Sequence, residues 1–299
     1  MPASPSQPMF DHIAILGFGL IGSSLARAIK SRGLAARITG STLDAEDARE
    51  IEALDLADRC VTDPAQAVID AELVIIATPV GSFAQIAKQI APNLRPDCIV
   101  TDVGSVKEPV ETDIAPNLPD HARLVPGHPI AGTENSGHKA GFAELFDGRW
   151  CILTPMDDTD PDALARVTSL WEAVGSDVAT MSIRHHDRVL AITSHLPHLI
   201  AYTIVATATD LEQTEQAEVI KYSAGGFRDF TRIAASDPVM WRDVFLTNKE
   251  AVLEILQRFS EDLTALQRAI RWEDGDQLEQ VFTRTRKIRR EVIDAKQAE

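Results

Sequence analysis

Cysteine is scarce in this chain. Three occur in 299 residues, Cys60, Cys98 and Cys151, odd in number and far apart. They cannot build a disulfide framework and have no metal-ligand spacing, so free buried thiols in a reducing cytoplasm are expected. Positive charge is also in deficit: 29 Lys and Arg face 45 Asp and Glu, a net charge of −16. A nucleic-acid binder carries a basic surface, so that class is set aside. No apolar run reaches the ~18 residues of a membrane span, and no membrane partner is expected. The opening MPASPSQPMF has neither the basic nor the apolar region of a signal peptide and reads as a flexible lead-in over residues 1–10. Repeats and low-complexity linkers are missing too. What is there is a globular balance, 44% apolar and 25% charged, over a length that suits two domains.

The first half alternates short apolar runs with amphipathic stretches. Residues 12–17, 36–40, 72–78, 98–103 and 123–126 read as strands, with helical patterns at 20–32, 83–91 and 106–114 between them. Apolar strands separated by helices indicate a parallel α/β sheet covered on both faces. A further strand pair, 150–154 and 176–181, brackets a helix near 161–174. Beyond about residue 182 only helical patterns remain: 184–211, interrupted by Pro197; a stripe over 239–270 carrying Trp241, Phe245, Val252, Ile255, Phe259, Leu263, Leu266 and Ile270; and a charged stretch, 276–296. The stripe reads as core or subunit interface. The expected organisation is a dinucleotide-binding α/β domain of Rossmann type over 1–181, followed by an all-helical domain over 182–299.

Gly17-Phe18-Gly19-Leu20-Ile21-Gly22 fits G-x-G-x-x-G and stands between a strand and a helix, the context its mechanism requires. The glycines permit a tight turn, close approach to a pyrophosphate and close helix–strand packing, with the anion at the helix N-terminus. At the end of the second strand, where an acid would hold a ribose, the chain reads Ser41-Thr42, with Asp44 slightly late and no arginine close by. NAD is the expected cofactor and NADP remains open. Thr78 and Pro79, at the end of a third strand, complete the expected cofactor edge.

Three polar segments accompany this loop. In Asp102-Val103-Gly104-Ser105-Val106-Lys107, Ser105 follows a strand and precedes a helical pattern, as an N-cap or as a functional hydroxyl at the ligand-binding edge of the sheet. In GHPIAGTENSG, residues 127–137, His128 is pinned between Gly127 and Pro129 on what reads as a loop at the same edge. The third set is Ser194-His195-Leu196-Pro197-His198 with Gly225–Arg232. His195 and His198 share a helix face. Together with His185 and His186 they suggest a metal site, but no carboxylate or cysteine lies at ligand spacing, and no metal is expected. Arg228 and Arg232, four apart, suit a carboxylate clamp, because a guanidinium offers two parallel hydrogen bonds.

Taken in order, GFGLIGSSLA, DVGSVK, GHPIAGTENSG, SHLPH and GGFRDFTRIAASDPVMWRD resemble the prephenate/arogenate (cyclohexadienyl) dehydrogenase family of tyrosine biosynthesis, from about residue 12 to residue 290. The resemblance implies a homodimer with a Rossmann-type domain and a helical dimerisation domain, and oxidative decarboxylation of prephenate or arogenate with NAD(P). It implies His128 as the group that takes the ring hydroxyl's proton and Ser105 as the residue that orients it. It further implies Arg232 as the substrate-carboxylate ligand, His195 and His198 near the substrate, Glu134 at the pocket's edge and Trp241 in its wall. A separate regulatory domain and a mutase segment are not expected, so any inhibition by tyrosine would act at the active site. Two other readings remain open: an oxidoreductase of the same plan acting on a β-hydroxy acid or imine through Lys221 or Lys249, and a non-catalytic NAD-binding protein.

Overall fold

The computed structural model describes residues 7–209 and 224–294. Lys221 lies outside them. Strands buried on both faces favour apolar side chains, and the apolar runs form such strands. β1 (Phe10–Leu16), β2 (Ala35–Ser41), β3 (Arg59–Val61), β4 (Leu73–Ile76), β5 (Ile99–Asp102) and β6 (Arg123–Val125) make one sheet in the order β3-β2-β1-β4-β5-β6. Every pairing in it is parallel. Alternate side chains serve opposite faces. Ile13, Ile15 and Ile75 pack with α1 (Leu20–Ser31) on one, and Leu16, Val74 and Ile76 pack with α4 (Phe83–Ile90) on the other. The chain winds outward from β1 in one direction and resumes at β4 in the other. That reversal opens a crevice at the carboxyl ends of β1 and β4, where ligands bind in such sheets.

Several elements escaped the sequence reading here. α2 (Ala45–Ala53) follows β2, β3 and the short α3 (Pro64–Ala67) come after it, and β7 (Gly127–Pro129) begins just after β6. β7 pairs antiparallel with β8 (Trp150–Leu153), His128 opposite Ile152. β8 in turn pairs parallel with β9 (Asp177–Thr180) across α5 (Pro161–Ala173). His128 therefore stands on a strand and not on a loop. Its flanking glycine and proline, both poor strand formers, hid it.

α6 (Ile183–Leu190) runs through a widened turn, Ala191–His195, into α7 (Leu196–Thr209). Pro197 does not end this helix. Its missing N–H and its ring are accommodated by the widened turn before it, and one residue on, the His198 ring donates from Nδ1 to the Ser194 carbonyl at 2.8 Å. Ile183–Thr209 also corrects the expectation about apolar runs: over its best 18 residues the mean hydropathy is 1.5, long and apolar enough to cross a bilayer. Yet it carries buried His186, Asp187 and His195, hydrogen-bonded to residues outside the helix. α8 (Gly225–Thr231), a tight turn at Arg232–Ala235, and α9 (Pro238–Thr247) follow.

The expected stripe over 239–270 is broken at Asn248, which closes α9 before α10 (Lys249–Arg271) begins. The described residues condense into two units, one ending at Lys249 and the other beginning at Glu250. The first helices after residue 182 thus belong with the sheet, because buried polar side chains tie them to it: Asp187 Oδ1 and Oδ2 accept the backbone N–H groups of Lys107 and Glu108 at 2.9 Å each. The second unit consists of α10 and α11 (Gly275–Asp294), whose Leu253, Leu263, Ile270, Phe282 and Ile288 are exposed.

Candidate active site

The glycine loop is built for a phosphate. Gly17 has φ +96°, a left-handed conformation that favours glycine, and a Cβ on Gly22 would lie 2.1 Å from the Gly17 carbonyl oxygen. A Cβ on Gly19 would meet no protein atom within 4 Å, so the loop leaves open space over that backbone. Gly19 caps α1 without a side chain, and the first turn of α1 holds no acid. Its N–H groups and positive dipole end are left for an anion, which fits a dinucleotide pyrophosphate. Gly17 through Gly22 supply this cradle by backbone. The Phe18 ring is turned away and packs on Gly40. Ser41 is buried at the end of β2 beside Thr42, and Asp44 is engaged elsewhere: its carboxylate accepts from Glu46 N–H at 2.6 Å as the cap of α2. Thr78 accepts from Ser82 Oγ at 2.8 Å, with its methyl group against Gly17. Pro79 follows it and opens the turn Val80–Ser82.

His128 is held by a buried ion pair. Lys107 and Asp102, both fully buried, form a salt bridge. Lys107 Nζ also donates to the Gly127 carbonyl at 2.6 Å, and Asp102 Oδ1 accepts from the Gly127 N–H at 3.2 Å. One ion pair thus grips both sides of the residue that precedes His128. The DVGSVK segment is therefore read differently from the sequence expectation. Ser105 lies in a bend and caps no helix, and the carboxylate that receives the N–H groups of Lys107 and Glu108 is Asp187 of α6. Burial, and after it the proximity of His186, Lys107 and His195, hold the His128 pKa well below the ordinary histidine value. The ring is neutral at pH 7 and able to accept a proton.

Around it stand the other histidines. His128 Nδ1 lies 2.8 Å from His186 Nε2, and His186 Nδ1 lies 2.7 Å from Asp187 Oδ1. Asn248 Nδ2 bonds both the Asp187 carbonyl, at 2.9 Å, and His195 Nδ1, at 3.0 Å. Burial lowers the His195 pKa to about 4. His195 Nε2 and Trp241 Nε1 are buried without a well-formed hydrogen bond among the described residues. Such N–H groups are satisfied when a ligand oxygen arrives. Trp241 stands edge-on to His195 and is stacked by His198, with centroids 3.6 Å apart, while Val106 packs against it. His185 is exposed.

Arg232 Nη1 donates to Glu134 Oε2 at 2.6 Å, and this contact, after the Glu134 backbone N–H, keeps the Glu134 carboxyl below its ordinary pKa. Arg228 is not the second half of a clamp. It is exposed and pairs with Asp229 at 3.8 Å.

Comparison with known proteins bears on this arrangement. The prephenate dehydrogenase nucleotide-binding domain matches residues 25–180, and the prephenate dehydrogenase dimerization domain matches residues 182–284. The chain belongs to the prephenate dehydrogenase family. It is 45% identical to a cyclohexadienyl dehydrogenase of Zymomonas mobilis over 94% of this chain and 96% of that one. A prephenate dehydrogenase of Bacillus subtilis is 35% identical over 92% of this chain and 74% of its own length. Among solved structures, the prephenate dehydrogenase of Aquifex aeolicus in complex with hydroxyphenyl propionate and NAD+ superposes with a TM-score of 0.87 at 36% identity, covering 96% of this chain and 99% of that one.

Within the prephenate dehydrogenase family reading, the sequence resemblance made Ser105 the residue that orients His128. In this chain the nitrogen of His128 that meets a neighbour meets His186. Sequence reasoning left His186 without a role and missed Asp187, Asn248 and the Lys107–Asp102 pair. The one available signal was an acid and a lysine five apart in an otherwise small, apolar segment, a spacing that lets them meet when both are buried.

Proposed function

We propose that this protein oxidatively decarboxylates a cyclohexadienol carboxylate, prephenate or arogenate or both, to the corresponding phenol, using NAD, and that His128 is its acid–base group. The observation that carries this reading is His128 itself: buried, neutral, and fixed by the Lys107–Asp102 pair at the carboxyl edge of a dinucleotide-binding sheet. When bound at the glycine loop, NAD supplies the hydride acceptor. His128 accepts the hydrogen bond of the ring hydroxyl and takes its proton as C4 is oxidised. The ring carboxylate leaves as CO2, its electron pair completes the aromatic ring, and the proton returns to the phenolic oxygen, so none is released overall. The loss of CO2 and the gain of aromaticity make the step irreversible.

Arg232 receives a substrate carboxylate, exchanging Glu134 for it. His195 Nε2 and Trp241 Nε1 offer buried donors to substrate oxygens, and His198 holds the Trp241 ring in place. Ser105, half-buried beside this group, contacts the hydroxyl. A tightly held base is worth having, since about 1 Å of misplacement costs on the order of a hundredfold in rate. The exposed apolar side chains of α10 and α11 support a homodimer formed through this unit. Tyrosine shares the phenol and carboxylate of the products and is proposed as an inhibitor acting at the same site. The three buried free thiols suit a reducing compartment, and the cytoplasm is the proposed location.

Absorbance at 340 nm tests the proposal, on mixing purified protein with prephenate or arogenate, each with NAD or NADP. Turnover fastest with NAD is expected. Silence in all four mixtures, with NAD binding shown separately, overturns it and moves the search to β-hydroxy acids and Lys249.

A further inference from the structure

A histidine can present either nitrogen as its base, and the wrong tautomer is inert. In this chain the choice is not left to the substrate. Asp187 is 5% exposed and its two carboxylate oxygens are aimed by the backbone N–H groups of Lys107 and Glu108. A carboxylate has only acceptors to offer. His186, with no exposure at all, sets Nδ1 2.7 Å from Asp187 Oδ1, so that nitrogen carries its hydrogen. In a neutral ring Nε2 is then a lone pair. His128 Nδ1 lies 2.8 Å from it and must be the donor. That leaves His128 Nε2 bare of hydrogen and able to accept. Each proton position in the chain follows from the one before, and the first is dictated by two peptide groups.

We infer that Asp187 and His186 form a positioning relay that fixes His128 as the Nδ1–H tautomer and delivers Nε2 as the base. The inference rests on the proposed role of His128. The relay also answers a charge problem. When His128 takes a proton it becomes a cation facing the Lys107 ammonium. His186 can accept the Nδ1 hydrogen more fully as that charge forms, with the Asp187 carboxylate behind it. Until it returns to the phenolic oxygen, the proton stays within the three side chains. His186 and Asp187 touch no reacting atom and act only through His128.

The full-length protein, labelled with 15N in its histidine rings and free of cofactor, tests the geometry directly by long-range 1H–15N correlation, with His128→Asn used to assign the His128 signals. The relay requires Nδ1 of His128 to carry the hydrogen and Nε2 to resonate as an unprotonated nitrogen. An Nε2–H tautomer of His128 overturns it. His186→Phe removes the acceptor while keeping an apolar ring, and is expected to lose the fixed tautomer and lower kcat at least about tenfold, with KM within about threefold, by analogy with the ten- to a hundredfold loss on removing the hydrogen-bond partner of a metal-ligating histidine. His186→Gln, whose amide oxygen can accept from Nδ1, is expected to recover most of that kcat, which a merely structural role would not produce. Unchanged kcat and tautomer in His186→Phe would sink the relay. If His186→Phe does not fold, the wild-type tautomer and His186→Gln still decide. Because the tautomer is read without turnover, a wild-type protein that shows Nδ1–H on His128 but oxidises no cyclohexadienol would defeat the proposed function and leave the relay standing.

Discussion

Arg232 Nη1 and Glu134 Oε2 lie 2.6 Å apart, joining the turn after α8 to the segment after β7. The proposed carboxylate ligand is therefore already paired with a carboxylate of its own chain. Substrate must displace Glu134, and the two substitutions should pull KM in opposite directions. Arg232→Ala should raise KM about ten- to a hundredfold with a small effect on kcat, the weight of a hydrogen bond to a charged group. Glu134→Gln should lower KM by up to about fivefold, since an exposed ion pair is worth at most about 1 kcal/mol. Steady-state kinetics with both variants checks this, and a raised KM in Glu134→Gln would show that Glu134 helps bind substrate.

His128→Asn removes the base and keeps a polar side chain of smaller volume. NAD affinity, measured by titration of protein fluorescence, should stay near wild type while kcat falls at least about a hundredfold. Wild-type turnover would remove His128 from the chemistry.

Activity and stability should respond to acid in different windows. His128 must be neutral to act, and its pKa lies well below 6.5, so kcat should hold as pH falls through 6.5 and drop only at more acid pH. Stability behaves otherwise. His12, His128, His186, His195 and His198 all have pKa values lowered chiefly by burial. Above pH 6.5 both folded and unfolded forms are neutral at these rings. Below it the unfolded chain binds protons that the folded one refuses, so stability falls toward the folded-state values. For His195, held at about 4, the loss between pH 6.5 and 4 is roughly 3 kcal/mol. Thermal unfolding followed from pH 7 to pH 4.5 should show Tm descending while kcat at low temperature is still near its plateau. A flat Tm over that range would contradict the burial of these rings.

Two glycines of one loop should fail in different ways. Gly22→Ala drives a methyl to within 2.1 Å of the Gly17 carbonyl oxygen, so both Tm and NAD affinity should drop. Gly19→Ala meets no protein atom within 4 Å and should unfold like wild type, yet bind NAD at least about tenfold more weakly, because only the cofactor would occupy that space. Calorimetry and cofactor titration on the pair separate the two effects.

Most of the sheet and most helices were legible because burial on two faces forces apolar runs: β4 is apolar throughout, and β1 and β5 carry apolar runs beside a few polar residues. β7 was not, because Gly127 and Pro129 mask a strand whose pairing is set by β8, a partner more than twenty residues away. The break at Asn248 was missed since apolar spacing runs on through it, and only the asparagine's buried bonds to Asp187 and His195 betray a helix end. His128, Arg232, Glu134 and the glycine loop could be named from motifs. Asp187 could not. Its importance comes from two peptide N–H groups eighty residues earlier, and spacing along the chain contains no trace of that encounter.

The Lys107–Asp102 pair has a bearing on how this protein can change over generations. Neither side chain has any exposed surface. Replacing one strands the other's charge in the interior, at about 3–5 kcal/mol, a large share of the stability of an ordinary domain. Lineages descending from this sequence should exchange both residues together or neither, so the segment that seats the base drifts as a linked pair while the surface around it varies freely.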